Sequence, residues 1–232
     1  MSDAKDSYAK LNKKETLRRQ PRLKPLYTKE DVDAVPYFDE EDKQVALGKL
    51  LRSIKNYNNQ PTITVGVGVH DPKGAAAVGS YSDVLRPLVT PTPRDGHTIG
   101  GTILNLLVMS VHKHTKDECL LGGLARFAAD RHVPGFKVHH YALMDFPESE
   151  VWSAEQRLML RYAKAVLEGT MTDALWNEAV KAWGVKMCLR YIQFIGYFWY
   201  AGVRNRTLRV PYPMLTEAEG HVTPLDSLKE KW

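Results

Sequence analysis

Between Ser153 and Leu208 three apolar-periodic segments follow one another with almost no chain left for connections, and the junctions between them carry helix stop and start signals. That pattern commits this part of the chain to helices packed side by side. In SAEQRLMLRYAKAVLEG, Ser153 and Gln156 stand at capping-box spacing and Gly169 marks the stop. TDALWNEAVKAWG repeats the arrangement, with Thr172 as N-cap and Gly184 as C-cap. VKMCLRYIQFIGYFWYAGVRNRTL is apolar on most of its circumference, which predicts a deeply packed helix. Its most apolar part, Val185 to Val203, is interrupted by Lys186, Arg190 and Gln193, so it reads as a core helix and not as a membrane span.

The same periodicity extends upstream. ILNLLVMSVHKH, DECLLGGLARFAADRH and FKVHHYALMDF read as three further helices, the second opening on acidic residues and the third entered through a turn at Pro134 and Gly135. Six helices with short connections and no repeats predict an all-α domain of about 130 residues. Before it, a helix starts near Asp39, where Val45, Leu47, Leu50, Leu51 and Ile54 stand at helical spacing behind an acidic first turn. From Gln60 to His97 the alternating TITVGVGVH predicts a short strand or extended segment, and the Gly, Ala, Ser and Pro residues after it predict a long loop that serves as a lid or an oligomer contact. GVGVHDPKG matches neither glycine-rich phosphate loop and no βαβ unit follows it, so no nucleotide site is expected. The chain thus divides into an N-terminal arm (1–38), a helix plus extended lid segment (39–96), a helical domain (97–212) and a C-terminal tail (213–232).

Composition narrows the function class. The 232 residues are 44% hydrophobic and 25% charged, as in an ordinary globular protein. The net charge of +5 is concentrated: Met1 to Lys29 holds nine Lys or Arg against three Asp or Glu. No aromatic-interleaved stripe or zinc pattern accompanies that charge, so the arm reads as a tail, too polar to bury much surface, and nucleic acid is not the expected partner. Two cysteines are too few for a disulfide framework and Met1 to Glu30 lacks a signal-peptide apolar run, which together predict a cytoplasmic setting.

The stretch from Phe146 to Pro211 resembles the carboxymuconolactone decarboxylase and alkylhydroperoxidase-D-like family. The elements that carry the resemblance are Ser153 with Gln156, Gly169-Thr170-Met171-Thr172-Asp173 with Trp176, and Ile195-Gly196-Tyr197-Phe198 followed by Asn205. Upstream, DECLLGGLARF is similar to the family's Arg-Glu-initiated helix, with Glu118 on its glutamate, so the resemblance covers roughly residues 97–212. It implies an alkylhydroperoxidase-D-like helical bundle, assembly as a homo-oligomer (trimer or hexamer) with active sites near subunit boundaries, and small-molecule chemistry. The peroxidase branch of the family uses a Cys-x-x-Cys pair with a glutamate and a relay histidine. Counted from Glu118, the two cysteine positions fall here on Asp130 and Val133, which rules out dithiol peroxidase chemistry. The relay histidine falls on Lys137, or on His140 if Val133-Pro134-Gly135 is an insertion.

The expected site follows from these positions. Lys137, His140 and Tyr141 project from one face of a helix and offer a proton-transfer surface, the alternative being half-buried packing residues and a snorkelling lysine. His140 is expected as general base or acid, Lys137 as the stabiliser of a developing enolate or carboxylate, and Glu118 as orienter or second proton carrier, although a capping role would also explain that glutamate. Cys119 and Cys188 lie among apolar residues and read as inert core thiols. His112 and His114 form an H-x-H with His132, His139 and His140 downstream, but they face apart on a helix and no metal motif supports them, so neither metal nor cofactor is expected. Arg204 and Arg206 could line an anion site or cap their helix. The leading expectation is a cofactor-independent lyase or isomerase acting on a small oxygenated or anionic substrate. The alternative is a catalytically silent oligomeric binding or scaffold protein that keeps the fold.

Overall fold

The computed structural model describes residues 21–56, 63–89, 102–117 and 140–210. Every regular element among them is a helix: α1 (Lys29–Asp33), α2 (Glu40–Asn56), α3 (Ile63–Gly68), α4 (Pro72–Val89), α5 (Thr102–Thr115), α6 (His140–Leu143), α7 (Ala154–Glu168), α8 (Asp173–Trp183) and α9 (Val185–Thr207). The protein is all-α over these residues, and no described helix is long and apolar enough to cross a membrane. The chain divides into two compact units, residues 1–77 with 205–232, and residues 78–204.

In the first unit, part of the stretch expected to be a polar arm is packed. Thr28 and Asp31 form a capping box that starts α1: the Thr28 hydroxyl accepts the Asp31 N–H, and the Asp31 carboxylate accepts the N–H groups of Tyr27 and Thr28. Burial alone would raise the Asp31 pKa, but the Lys24 ammonium at 2.7 Å and those two N–H groups outweigh it and hold the carboxyl below its usual range. Leu26, Val32, Val35 and Phe38 are buried with Ala46 and Leu50 of α2. Four apolar side chains in an otherwise charged stretch supply the core face, so the arm reading fails for residues 21–38, and residues 1–20 lie outside those described. Gly66 permits a close approach of two backbones in this unit: its carbonyl accepts the Leu26 N–H at 3.0 Å, and a Cβ there would stand 2.8 Å from the Leu26 carbonyl.

The expected strand and long loop over 60–97 is also corrected. Ile63–Gly68 and Pro72–Val89 are helices, while residues 57–62 and 90–97 lie outside those described. Asp71 caps α4, its carboxylate accepting the Gly74 N–H at 3.1 Å and its carbonyl the Ala75 N–H at 2.8 Å. Pro72 then occupies the first helical position, where a missing N–H costs nothing. The Ala-rich run that follows satisfies helix propensity despite its glycines and serines.

In the second unit α5 is the central helix, lying along α7. Leu104, Leu107, Val108 and Val111 join Tyr162 and Phe194 in one apolar cluster, while Leu106 and Met109 join Met144, Trp152 and Leu160 in another. The caps of α7 and α8 are as the sequence predicts: Ser153 and Gln156 form the capping box, Gly169 takes a left-handed φ of 69°, and Thr172 accepts the Leu175 N–H. Ser153→Ala is expected to cost about 1 kcal/mol, read as a lower urea midpoint with unchanged slope. The α9 boundaries agree with the sequence, but the expectation of deep packing does not hold. One side of α9 carries Phe194, Ile195 and Phe198 in the core, whereas Leu189 and Trp199 are about half exposed. The helix expected over 117–132 lies outside the described residues beyond Asp117, and of the one expected over 136–146 the described part is helical only at His140–Leu143.

Candidate functional site

The most unusual polar feature of the second unit sits at the end of its central helix. Lys116 takes a left-handed conformation (φ 54°), which turns the chain back over the last turn of α5. The Lys116 N–H then reaches the Lys113 carbonyl at 3.1 Å and the Asp117 N–H reaches the His112 carbonyl at 2.9 Å, the bond pattern of a Schellman stop made without glycine. This turn swings the Asp117 carboxylate against the ring of the residue whose carbonyl it has just bonded. His112 Nδ1 lies 3.1 Å from Asp117 Oδ2, with the two side chains 0% and 1% exposed.

A buried carboxylate beside a buried imidazole is costly unless the two share a proton or a charge. The contact is close but off the N–H direction of the ring, so it is an electrostatic contact and not an aligned hydrogen bond, and Nε2 has no hydrogen-bond partner among the described residues. Phe198 of α9 meets the His112 ring edge-on, with centroids 5.4 Å apart. Asn105 lies two turns earlier on the same side of α5, is 2% exposed, and leaves both ends of its amide unpartnered among the described residues. The apolar clusters on the flanks of α5 thus enclose a line of polar groups with spare hydrogen-bonding capacity.

Helix α9 fixes this end of α5. Thr115 donates its hydroxyl back to the Val111 carbonyl at 3.0 Å, and Gly202 comes so close that a Cβ there would stand 2.2 Å from the Thr115 oxygen. Only a residue without a side chain lets the two backbones cross at that distance.

A second group of side chains adjoins the neighbouring position. Lys113 ties α5 to the short helix α6: its ammonium donates to the Tyr141 carbonyl at 3.0 Å, pairs with Asp145 at 2.7 Å and lies over the Tyr141 ring at 4.5 Å. Burial, helped by the Asp145 charge, pushes the Tyr141 phenol up, so it stays a neutral donor. His140 is half-buried with its ring 5.8 Å from that of Trp152, whose indole N–H donates to the Leu143 carbonyl. Of the three expected site residues only His140 can therefore be placed, and Lys137 and Glu118 lie outside the described residues. His112 is buried and His114 exposed, so the H-x-H does not converge. Asp117, which the sequence reading treated only as the acidic start of a following helix, is the residue that reading missed; with no glycine at 116, nothing in the sequence marks the turn that folds it back.

Deeper in the unit, the Tyr162 hydroxyl donates to the Cys188 carbonyl at 2.8 Å, and burial pushes the Cys188 thiol up, consistent with an inert core cysteine. Burial also pushes the Tyr162 phenol well above its ordinary value of 10 and Tyr191 up to about 12. A folded-state pKa above the unfolded one means the stabilisation is complete below pH 10 and is lost as pH climbs through the folded value. An absorbance titration at alkaline pH is thus expected to show two phenols resisting ionisation until the fold gives way between about pH 10 and 12. Comparison with family models, with curated proteins and with solved structures finds no match to this chain.

Proposed function

We propose that the chain is a cofactor-independent enzyme that moves protons on a small oxygenated or anionic substrate, in the manner of the carboxymuconolactone decarboxylase-like class that residues 97–212 resemble. The observation that carries this reading is the sealed His112–Asp117 pair, whose ring leaves Nε2 without a partner among the described residues. A carboxylate at Nδ1 favours the tautomer with the lone pair on Nε2, the arrangement a general base needs, and it would stabilise the positive charge that develops when Nε2 accepts a proton. The off-line contact would tighten when the ring takes up charge. In this reading Nε2 removes a proton from carbon next to a carbonyl or carboxylate, and the electron pair passes to the oxygen. His140 acts as the second proton carrier, and Lys137 and Glu118 keep the supporting roles that the resemblance implies. Since His112 is fully buried, the substrate reaches it only when covering side chains move aside.

The test is a set of small 2-oxo acids, 3-oxo acids and lactones followed by proton NMR in heavy water, with wild type beside His112→Gln. The reading expects deuterium incorporation or product formation with at least one compound, reduced by about 10²–10⁴-fold in the variant while its circular dichroism is unchanged. Turnover that survives in His112→Gln would remove His112 from the mechanism. The silent scaffold remains a second reading because of the exposed apolar side of α9, where Leu189 and Trp199 face solvent; absence of turnover across the set, with a folded protein, would favour it.

A further inference from the structure

Helix α9 carries a second pattern besides its core face. Val185, Leu189, Ile192, Gly196, Trp199 and Val203 follow one another at alternating steps of four and three, the spacing that keeps a stripe on one side of a helix over its whole length. All six are exposed, Trp199 by 48%, and a Cβ at Gly196 would meet nothing within 4 Å. The stripe spans eighteen steps, about 27 Å of helix. No acidic residue lies on it, and Lys186 and Arg206 flank its two ends.

Helix α4 extends the surface. It runs antiparallel to α9, with the Arg190 guanidinium donating to the Leu88 carbonyl at 3.1 Å and the Tyr81 hydroxyl to the Gln193 carbonyl at 3.4 Å. Its own exposed apolar side chains, Tyr81, Val84 (69%) and Leu88, stand at i, i+3 and i+7 and so form a second apolar row on one face of α4. Eight large apolar side chains on the two helices are thus exposed, by 37–69% each, the kind of surface that marks an interaction site.

The order of sizes along the stripe identifies the occupant. Reversed about Phe194, the stripe reads onto itself: Val185 falls on Val203, Leu189 on Trp199, and Ile192 on Gly196. A two-fold interface requires one patch to complement its own reversed copy, and here the largest side chain meets a leucine while an isoleucine meets the gap left by a glycine. We infer that a second copy of this chain docks antiparallel along α9, flanked by α4, to form a two-fold dimer. This inference is independent of the proposed chemistry, since it uses none of the residues assigned to proton transfer.

The experiment is the absolute mass of the full chain at micromolar concentration by light scattering, compared with Leu189→Glu, and short bismaleimide crosslinking of Gln193→Cys beside Lys164→Cys. Because Leu189, Gln193 and Lys164 are exposed, the variants are expected to keep the wild-type circular dichroism. The proposal expects a mass that is an even multiple of the 26.3 kDa chain, halved in Leu189→Glu. It also expects a crosslinked pair from Gln193→Cys, next to the two-fold axis, and none from Lys164→Cys on α7. A monomeric or trimeric wild type, a Leu189→Glu mass equal to wild type, or equal crosslinking at both positions overturns it. Capture of a different protein by a monomeric chain overturns it too.

Discussion

Asp117→Asn is expected to lower turnover by about 10²–10⁴-fold while leaving the fold in place. The substitution conserves shape, and the backbone bond that sets the turn, from the Asp117 N–H to the His112 carbonyl at 2.9 Å, does not involve the side chain. What changes is charge. An amide beside His112 Nδ1 can present its NH₂ to the ring as readily as its oxygen, so the tautomer with a free Nε2 lone pair is no longer selected. The amide also gives no charge stabilisation to the protonated ring. Both losses act on the proton-transfer step, so kcat is expected to fall with little change in KM. A rise confined to KM would place Asp117 in substrate binding instead. Equal turnover in the variant and wild type would make the pair a structural element.

Gly202→Ala is expected to be among the most disruptive conservative changes in the second unit, costing about 1–3 kcal/mol even though alanine is the better helix former. The added Cβ would stand 2.2 Å from the Thr115 hydroxyl oxygen and 2.9 Å from its Cβ. The hydroxyl cannot swing away freely, since it is held by the Val111 and His112 carbonyls. The helices must separate, and the turn that holds Asp117 against His112 moves with them, so activity falls along with the urea midpoint. Thr115→Ala in the same chain removes the nearest atom and is expected to return part of the stability, as a favourable coupling in a double-mutant cycle. Additive losses would show that the crossing is not the source of the effect.

The parts of the fold that were legible in the sequence are those whose ends are marked by side chains. Ser153 with Gln156, Gly169, Thr172 and Gly184 delimit α7 and α8 because each satisfies or releases a backbone group at a helix end, a local requirement that no tertiary contact overrides. The same kind of mark was present but outweighed upstream. Asp71-Pro72 is an N-cap followed by a proline at the first helical position, yet the glycines and serines after it suggested a loop. Thr28 and Asp31 form a capping box in a stretch whose charge suggested a free arm. Period alone showed that α9 is a helix, but not that its apolar circumference divides, with Phe194 and Phe198 turned inward and Leu189 and Trp199 outward.

The candidate site was less legible because its decisive contact is made by backbone shape. Asp117 reaches His112 through a left-handed Lys116, a conformation that lysine adopts here without any residue type to announce it. His140, which the resemblance names, stands half-buried beside Trp152, whereas Lys137 and Glu118 lie outside the described residues. Asn105 could be read only as one polar residue in an apolar helix. Its significance comes from sharing a face with His112 and from having no partner among the described residues.

The measurement that tests the account most directly is the long-range proton–nitrogen NMR spectrum of the histidine rings, with the His112 signals identified by their loss in His112→Gln. The account predicts that Nδ1 of His112 carries the ring proton, with an Nε2 resonance that shifts when a small 3-oxo acid is added. A ring protonated on Nε2, unmoved by that compound, would leave no base at the centre of the site and contradict the proposal.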